Sequence, residues 1–344
     1  MARLGRSPLA PDATAGNEGP RGGASSGRRK GTSLSGVKPL SHFLERTPLL
    51  FEAVPPVRRA NPRSIDALLS KLEPPLRSLH RLSAINIPEV LDENHMGQPF
   101  YRNMDPRTFA ELLRPLVPRD IVVNKVVVHS SSRGAFVRWA RETVVKHQVR
   151  NVVLVGGASS LRKYPGPGVV EAAGMVSHLY RSLTVPEGLV GSIAIPSRPH
   201  EAERLFTKTL SGVRFSTTQI LFDTDSLKGL LTEYDRLCRE FEIAPLTVII
   251  SLAPISDIHD LEFVRWLGAE VPEVVEESLF SHDLEAAKDR SIDIAVRVWK
   301  EISSFVRQHG IRVPLGLNVE QVSHHNLESA VEMAQRLSRA IGTD

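Results

Sequence analysis

The stretches IVVNKVVV (residues 121–128) and NVVLV (151–155) decide the fold of this chain. Both are short, valine-rich runs in which polar and apolar residues hardly alternate, which is typical of strands buried on both faces of a parallel sheet. Residues 134–147 lie between them and show helical periodicity. A strand, a helix and a second buried strand form the unit from which helix-covered parallel sheets are built.

The same alternation continues outward in both directions along the chain. Six further apolar runs predict strands at 48–54, 82–88, 191–195, 216–222, 246–252 and 313–318. Helices are predicted at about 62–80, 105–116, 134–147, 168–182, 199–211, 225–241, 258–268, 283–309 and 324–341, with an extra excursion at 269–282. Asp105, Asp225 and Asp257 are candidate N-terminal caps of three of these helices.

Eight strands that alternate with eight or more helices predict an α/β fold, a single (β/α)8 TIM barrel. An open, doubly wound sheet is the main alternative. No G-x-G-x-x-G motif follows the first strand and the sequence has no phosphate-binding loop motif, which argues against the nucleotide-binding forms of that alternative. In a barrel, chemistry belongs at the carboxyl ends of the strands.

The composition narrows the class of protein. Hydrophobic residues make up 41% and charged residues 24% of the 344 residues, as in soluble globular proteins. The single cysteine, Cys238, excludes an intramolecular disulfide and a thiolate zinc cluster. Because there is neither an apolar run long enough to span a membrane nor a secretory signal, we expect a cytoplasmic protein with no membrane partner.

Residues 1–40 differ in composition from the rest of the chain. They contain eight glycines, five serines and four prolines, and seven basic against two acidic residues, whereas the remainder has 36 basic and 37 acidic residues. We therefore predict a disordered tail at 1–40 and a catalytic barrel domain at 41–344, with no nucleic-acid-binding face on the folded part. A dispensable extension, an arm for an anionic partner and a transit peptide stay open for the tail.

Polar side chains near the ends of apolar strands are candidate functional groups. Glu52 lies near the carboxyl end of the first predicted strand, just before Pro55 and Pro56. Partial desolvation there would raise the pKa of Glu52 and suit it to general acid catalysis near neutral pH, although a structural ion pair is the alternative. Gln219 lies in a predicted strand and could hold the amide-like edge of a heterocyclic ligand or be a satisfied core glutamine.

Several other candidates carry weaker signals. His129 ends the third strand and could contact a ligand or a loop carbonyl, and the glycine-containing loop 156–160 leaves room for close approach of a ligand. Lys208, late in a helix, is on its own typical of a solvated surface lysine. His282 and His324-His325 have no carboxylate or cysteine at metal-ligand spacing, so no metal site is predicted. Asn318 ends the last predicted strand, and Glu320 lies just beyond it.

The chain resembles the methylenetetrahydrofolate reductase family from about residue 48 to 341. Phe51-Glu52-Ala53-Val54-Pro55-Pro56 is similar to the Phe-Glu-Phe-Phe-Pro-Pro segment of that family. The stretch 208–223, which ends in TQILFD, is similar to its Lys…Thr-Gln-Phe-Phe-Phe-Asp segment, and Leu252-Ala253-Pro254-Ile255-Ser256 is similar to its Ile-Leu-Pro-Val-Ser segment. The order and spacing of these short motifs agree along the whole body, and the family has the (β/α)8 fold.

The resemblance implies a function and roles for individual residues. The family reduces 5,10-methylenetetrahydrofolate to 5-methyltetrahydrofolate, in the context of methionine biosynthesis, and its usual members pass a hydride from NADH or NADPH through bound FAD. Glu52 matches the acid that protonates the folate and opens its five-membered ring. Gln219 matches a residue that contacts the pterin, and His129 and Lys208 match residues that contact FAD.

The sequence also departs from the family pattern. Gly156-Gly157-Ala158 stands where the family usually has Arg-Gly-Asp, so the carboxylate near pterin and flavin is missing, and Ile195 replaces a tyrosine. Two outcomes stay open: FAD is held differently, or the nicotinamide cofactor gives its hydride directly to the folate. By position, the resemblance assigns Ala158 to the substrate and Gly156, Gly157, Ser159 and Ile195 to the cofactor.

Two other functions stay open beside the reductase. One is a different folate-dependent one-carbon or methyl transferase on the same barrel, which the altered loop at Ala158 favours. The other is a non-catalytic folate- or flavin-binding protein. In every case the expected partner is a small-molecule folate. The excursion at 269–282 fits either an interface of a homo-oligomer or a lid over the barrel.

Overall fold

A computed structural model describes residues 46–94, 97–157, 162–185, 188–281, 286–322 and 325–342. Its strands are β1 (Leu49–Glu52), β2 (Leu82–Ile87), β3 (Leu91–Glu93), β4 (Pro99–Tyr101), β5 (Asp120–Val126), β6 (Asn151–Val155), β7 (Val190–Ala194), β8 (Phe215–Thr218), β9 (Thr247–Leu252) and β10 (Leu315–Val319). Eight of them close into a parallel barrel in the order β1-β10-β9-β8-β7-β6-β5-β2. The predicted (β/α)8 barrel is confirmed, and the open sheet is excluded because β1 pairs with β10.

The helices begin and end within a few residues of their predicted positions. They are α1 (Pro62–Ser78), α2 (Pro106–Leu113), α3 (Arg133–Val145), α4 (Val169–Ser182), α5 (Glu201–Leu210), α6 (Asp225–Glu240), α7 (Ile258–Trp266), α8 (Glu273–Phe280), α9 (Ala287–Gln308) and α10 (Leu327–Ile341). The excursion at 269–282 thus contains α8. Within the described ranges, no helix is both long and apolar enough to cross a membrane.

Two of the three predicted caps are confirmed. Asp105 accepts a hydrogen bond from the backbone N–H of Arg107 at 2.8 Å, and Asp257 accepts one from that of Asp260 at 2.9 Å. The prediction for Asp225 was wrong: it is the first residue of α6 and follows Thr224, which makes no side-chain capping bond. Each confirmed cap satisfies one of the N–H groups that a helix leaves unpaired at its start.

The side chains inside the barrel change from apolar to polar toward the carboxyl ends of the strands. Six interior side chains from six strands form one buried cluster: Leu50, Ala84, Val122, Val153, Phe215 and Ile249. The neighbouring strand residues point outward and pack under the helices. Two residues beyond the cluster members of β1 and β2, the interior positions carry Glu52 and Asn86, and on β10 Asn318 pairs in register with Leu50. The sequence therefore places polar side chains at the carboxyl-end mouth of the barrel, next to the buried apolar cluster.

A small hairpin between β2 and α2 was not predicted. Its strands, β3 and β4, pair antiparallel, with Leu91 opposite Tyr101 and Glu93 opposite Pro99. Each strand has only three residues, which is too short for a periodic signal. The hairpin places Glu93 at the carboxyl-end side of the barrel, beside the turn that follows β5.

Candidate functional site

Two carboxyl groups lie side by side at the mouth of the barrel. Glu52 ends β1 and Glu320 directly follows β10, and the paired residues Leu50–Asn318 and Phe51–Val319 bring the two glutamates to neighbouring positions. Burial, together with the negative charge of Glu320, raises the pKa of Glu52 well above its ordinary value. Burial raises the pKa of Glu320 to about 7. Both shifts favour the protonated form of the pair.

Neutral amide and hydroxyl groups hold the two carboxyl groups in place. Asn86 Nδ2 donates to Glu52 Oε2 at 3.2 Å. Asn318 Nδ2 donates to Glu320 Oε1 at 3.3 Å and to Ser251 Oγ at 3.2 Å. These bonds counteract the rise in pKa at Glu52 and Glu320 but are smaller in effect than burial. The mouth thus contains two acids among neutral polar groups.

Three asparagines present hydrogen-bond acceptors in the same region. The Oδ1 atoms of Asn86, Asn124 and Asn318 are buried and accept no hydrogen bond from the described residues. Asn124 lies on β5, two residues beyond the interior residue Val122. Since a buried acceptor without a partner is costly, these oxygens are suited to N–H donors of a bound molecule.

Gln219 lies just beyond the end of β8, because this strand stops at Thr218 and is shorter than predicted. Its Nε2 donates to the carbonyl of Leu267 at 2.9 Å, and its Oε1 accepts from the N–H of Ile220 at 3.1 Å. The side chain therefore ties the end of β8 to the end of α7. Its contact with a pterin stays a prediction.

His129 lies in a short 3-10 turn, Val127–His129, after β5. Its Nε2 lies 2.9 Å from Glu93 Oε1, and its ring meets that of Tyr164 edge-on with 5.3 Å between the ring centroids. Tyr164 donates its hydroxyl hydrogen to Glu93 Oε2 at 3.0 Å, and Arg162 donates to the same oxygen at 2.8 Å. We call these four residues the Glu93 cluster. With only 1% of its side chain exposed, His129 is an interior member of it.

Lys208 is buried, so the expectation of a solvated lysine was wrong. Its Nζ donates to the carbonyl of Ile193 at 2.7 Å and to Glu201 Oε1 at 3.1 Å, and burial lowers its pKa. Glu201 also accepts a hydrogen bond from the backbone N–H of Ile195 at 3.3 Å. Lys208 and Ile195 thus share one carboxylate, which supports the loop after β7.

The glycine loop after β6 is only partly described. The ring of Tyr164 fills the place of a side chain at Gly157, where an added Cβ would lie 2.5 Å from it. At Gly156 an added Cβ would meet only Val169, at 3.7 Å. The predicted ligand contacts Ala158 and Ser159 lie outside the described residues. Gly157 therefore serves packing against Tyr164, and contact of either glycine with a cofactor stays a prediction.

The side chains matched to FAD contacts are paired within the protein, and their contact with FAD stays a prediction. His129 is paired within the Glu93 cluster, and Lys208 is paired with Glu201. Both side chains are almost fully buried, and His129 Nε2 and Lys208 Nζ already have protein partners. In the described part of the chain, no three His, Cys, Asp or Glu side chains come together as a metal site requires.

Sequence reasoning found Glu52 but did not select Glu320 as a site residue. The signal that could have found Glu320 is the closure of the barrel. In a closed barrel the first and last strands are neighbours, so acidic residues at their carboxyl ends must lie close together. Residue types and spacing alone do not show this, because the two residues lie at opposite ends of the domain.

Fold and site together define a (β/α)8 barrel whose carboxyl-end mouth combines a carboxyl pair with amide side chains. The sequence matches no protein-family model and no curated protein. The resemblance to the methylenetetrahydrofolate reductase family therefore stays a prediction at the sequence level.

The chain is similar to many solved structures, among them the following two. The first is an uncharacterized protein from Clostridium thermocellum that binds two copies of 5-methyl-5,6,7,8-tetrahydrofolic acid, with 20% identity and a TM-score of 0.71. That comparison covers 87% of this chain and 99% of the other. The second is 7,8-dihydropteroate synthase from Vibrio fischeri ES114, with 13% identity, a TM-score of 0.42 and coverage of 88% and 95%. At this identity the first likeness establishes the shared fold, and the second is too distant to add to it.

Proposed function

We propose that this protein reduces 5,10-methylenetetrahydrofolate to 5-methyltetrahydrofolate, with NADH or NADPH as the hydride donor and Glu52 as the general acid. The observation that carries the proposal is the pair formed by Glu52 and Glu320, in which burial and like charge raise the pKa of Glu52. A carboxyl group that stays protonated near neutral pH, at the mouth of a barrel, is what acid-assisted ring opening requires.

Binding of a reduced folate is supported by the polar mouth. A pterin ring carries several N–H groups along one edge, and these groups need acceptors when they leave water. The buried oxygens of Asn86, Asn124 and Asn318 are such acceptors. The barrel from C. thermocellum, which has the same fold, binds a methylated tetrahydrofolate. Both observations favour a folate over an unrelated ligand.

The chemistry begins with proton transfer. Glu52 gives its proton to N10 of the folate, the bond between N10 and the bridging carbon breaks, and its electron pair stays on N10. The bridging carbon is left double-bonded to N5 as a cationic iminium. A hydride from the dihydronicotinamide then forms the third C–H bond of the methyl group, and the nicotinamide is oxidised. Asn86, which donates to Glu52 at 3.2 Å, keeps the acid oriented during the transfer.

Direct hydride transfer is the form of the reaction that we propose. The two positions matched to flavin contacts, His129 and Lys208, are engaged by Glu93 and Glu201. A relay through bound FAD stays the alternative. The visible absorption spectrum of the purified protein distinguishes the two, because a flavin band accompanies the relay and is missing from direct transfer.

The test is the oxidation of NADH and NADPH by purified protein, with and without 5,10-methylenetetrahydrofolate. We expect folate-dependent oxidation, and we expect Glu52→Gln to lower kcat about 10²–10⁴-fold while folate binding persists. Glu328→Gln, at an exposed position of α10, is the matched control and should be fully active.

Failure of the wild-type protein to oxidise either nucleotide, even with FAD supplied, would contradict the proposal. Folate binding without any response to nucleotides would then favour a one-carbon or methyl transferase on the same barrel. Binding of neither would argue against a folate protein altogether.

A further inference from the structure

We propose that Glu320 supplies the second carboxylate of the active site: it holds the proton on Glu52 before ring opening and stabilises the cationic folate afterwards. This inference rests on the proposed function. It gives a role to a residue that the resemblance leaves unassigned. It also supplies a carboxylate that is missing elsewhere. The family pattern has a carboxylate after β6, where this chain has Gly156-Gly157-Ala158.

The geometry fixes Glu320 beside the acid. It follows β10, the strand that pairs with β1, and its backbone N–H donates to the carbonyl of Leu252 at 2.9 Å. Asn318 Nδ2 holds its side chain at 3.3 Å, and Asn318 is itself paired with Ser251 across β9 and β10. Glu320 is therefore anchored by its backbone and by its side chain, and it faces Glu52 from the neighbouring strand.

Among the described residues, the groups that neighbour the pair are neutral. The strands that flank Glu52 contribute Asn86 from β2 and Asn318 with Glu320 from β10, and β9 contributes Ser251. In the described ranges, no lysine, arginine or histidine forms an ion pair with either Glu52 or Glu320. Glu320 is the charged group that acts on Glu52, and like charges at close range disfavour loss of the second proton.

The charge balance of the reaction gives Glu320 its second task. Before proton transfer the pair carries one proton and one negative charge. When Glu52 gives its proton to N10, the substrate becomes a cation and the pair carries two negative charges. Attraction between these charges is strong at a partly buried site, so the pair stabilises the iminium at the moment it forms. The hydride then removes the positive charge.

The experiment compares Glu320→Gln, which removes the charge, with Glu320→Asp, which keeps it, and with the control Glu328→Gln. For Glu320→Gln we expect kcat at neutral pH to fall about 10- to 100-fold, and the alkaline limb of the pH–rate profile to move to lower pH by about one unit. The folate Kd should change less than about threefold. In Glu320→Asp, the alkaline limb of the pH–rate profile should lie close to its wild-type pH.

Infrared titration of the protonated carboxyl band provides a readout that does not need activity. In Glu320→Gln, the band of Glu52 should disappear at a lower pH than in the wild-type protein. The inference is overturned if Glu320→Gln leaves both the limb and this titration unchanged. It is also overturned if Glu320→Gln and Glu320→Asp lose folate binding equally, because that result indicates that Glu320 has a structural role only.

The two proposals fail in different ways. A wild-type protein without folate-dependent oxidation contradicts the reductase, and the infrared titration then still decides whether Glu320 holds the proton on Glu52. If the wild-type protein is active and Glu320→Gln changes neither the alkaline limb nor the infrared titration, only the role proposed for Glu320 is contradicted.

Discussion

At the scale of single residues, the carboxyl pair also has a consequence for stability. Burial and like charge raise the pKa of Glu52, and burial raises that of Glu320 from 4.5 to about 7, so the folded protein binds a proton that the unfolded chain releases. A folded state that binds more protons is favoured at low pH. We therefore expect the pair's contribution to the free energy of unfolding to decrease as the pH rises from about 4.5 to about 7.

Glu320→Gln should remove the part of this pH dependence that comes from Glu320 and from its charge, leave the part that comes from burial of Glu52, and above neutral pH be more stable than the wild type by about 1–2 kcal/mol. Urea denaturation at a series of pH values measures the effect. A variant whose stability falls with pH as steeply as that of the wild type would show that the pair does not share a proton. Glu328→Gln should behave as the wild type.

Glu52 could be predicted from the sequence, whereas the surroundings of His129 and Lys208 could not. A carboxylate at the end of an apolar strand is a local signal. The partner of His129 is Glu93, which lies on a hairpin too short to show periodicity. The partner of Lys208 is Glu201, at the beginning of the same helix. The pairing of His129 depends on tertiary structure. For Lys208, residue type predicted a solvated side chain, and only the family resemblance suggested a ligand contact.

At the scale of elements, the loop between β6 and α4 depends on a close approach of backbone to backbone. Gly166 donates its N–H to the carbonyl of Val128 at 2.9 Å, and an added Cβ would lie 2.8 Å from that oxygen and closer still to the carbonyl oxygen of Val127. The main chain cannot yield as a flexible side chain could. Gly166 therefore holds the loop that carries Tyr164 against the turn containing His129.

Gly166→Ala should lower the free energy of unfolding by about 1–3 kcal/mol, because a clash with backbone forces the loop to move. Gly174→Ala is the matched control. Gly174 lies inside α4 with open space around its Cβ position, so this variant should stabilise the protein by about 0.5–1 kcal/mol. Thermal or urea denaturation of both variants provides the measurement. Equal effects of the two substitutions would contradict the packing described for the loop.

The eight barrel strands and the nine predicted helices could be found from periodicity, because buried parallel strands and amphipathic helices have distinct patterns. Their ends were less accurate. The run at 216–222 stays apolar after β8 has ended at Thr218, since Ile220, Leu221 and Phe222 are buried in the following loop. A buried loop segment thus has the same run of apolar residues as a buried strand.

At the scale of the whole molecule, the count of strands and helices was enough to predict a closed barrel, and closure is what creates the site. The sequence identified acidic residues at both ends of the barrel domain without showing that they meet. Their proximity follows from the pairing of β1 with β10, a contact between the most distant parts of the domain. The fold could therefore be predicted more completely than the site.

The composition of residues 1–40 predicts that they are not needed for catalysis. A protein that begins at residue 41 should retain kcat/KM within about twofold of the full chain, because no strand or helix of the predicted barrel lies in that segment. Steady-state kinetics of the two forms provide the comparison. A large loss of activity would instead assign the tail a role in the active form of the protein.

The central claim is that this barrel transfers a hydride from a nicotinamide to the bridging carbon of the folate. Its most direct test supplies NADH or NADPH deuterated at the transferred position of the dihydronicotinamide, together with 5,10-methylenetetrahydrofolate, and analyses the folate product by mass spectrometry. We predict 5-methyltetrahydrofolate with one deuterium in its methyl group and no loss of label to water. A product without a methyl group, or no product at all, would contradict the claim.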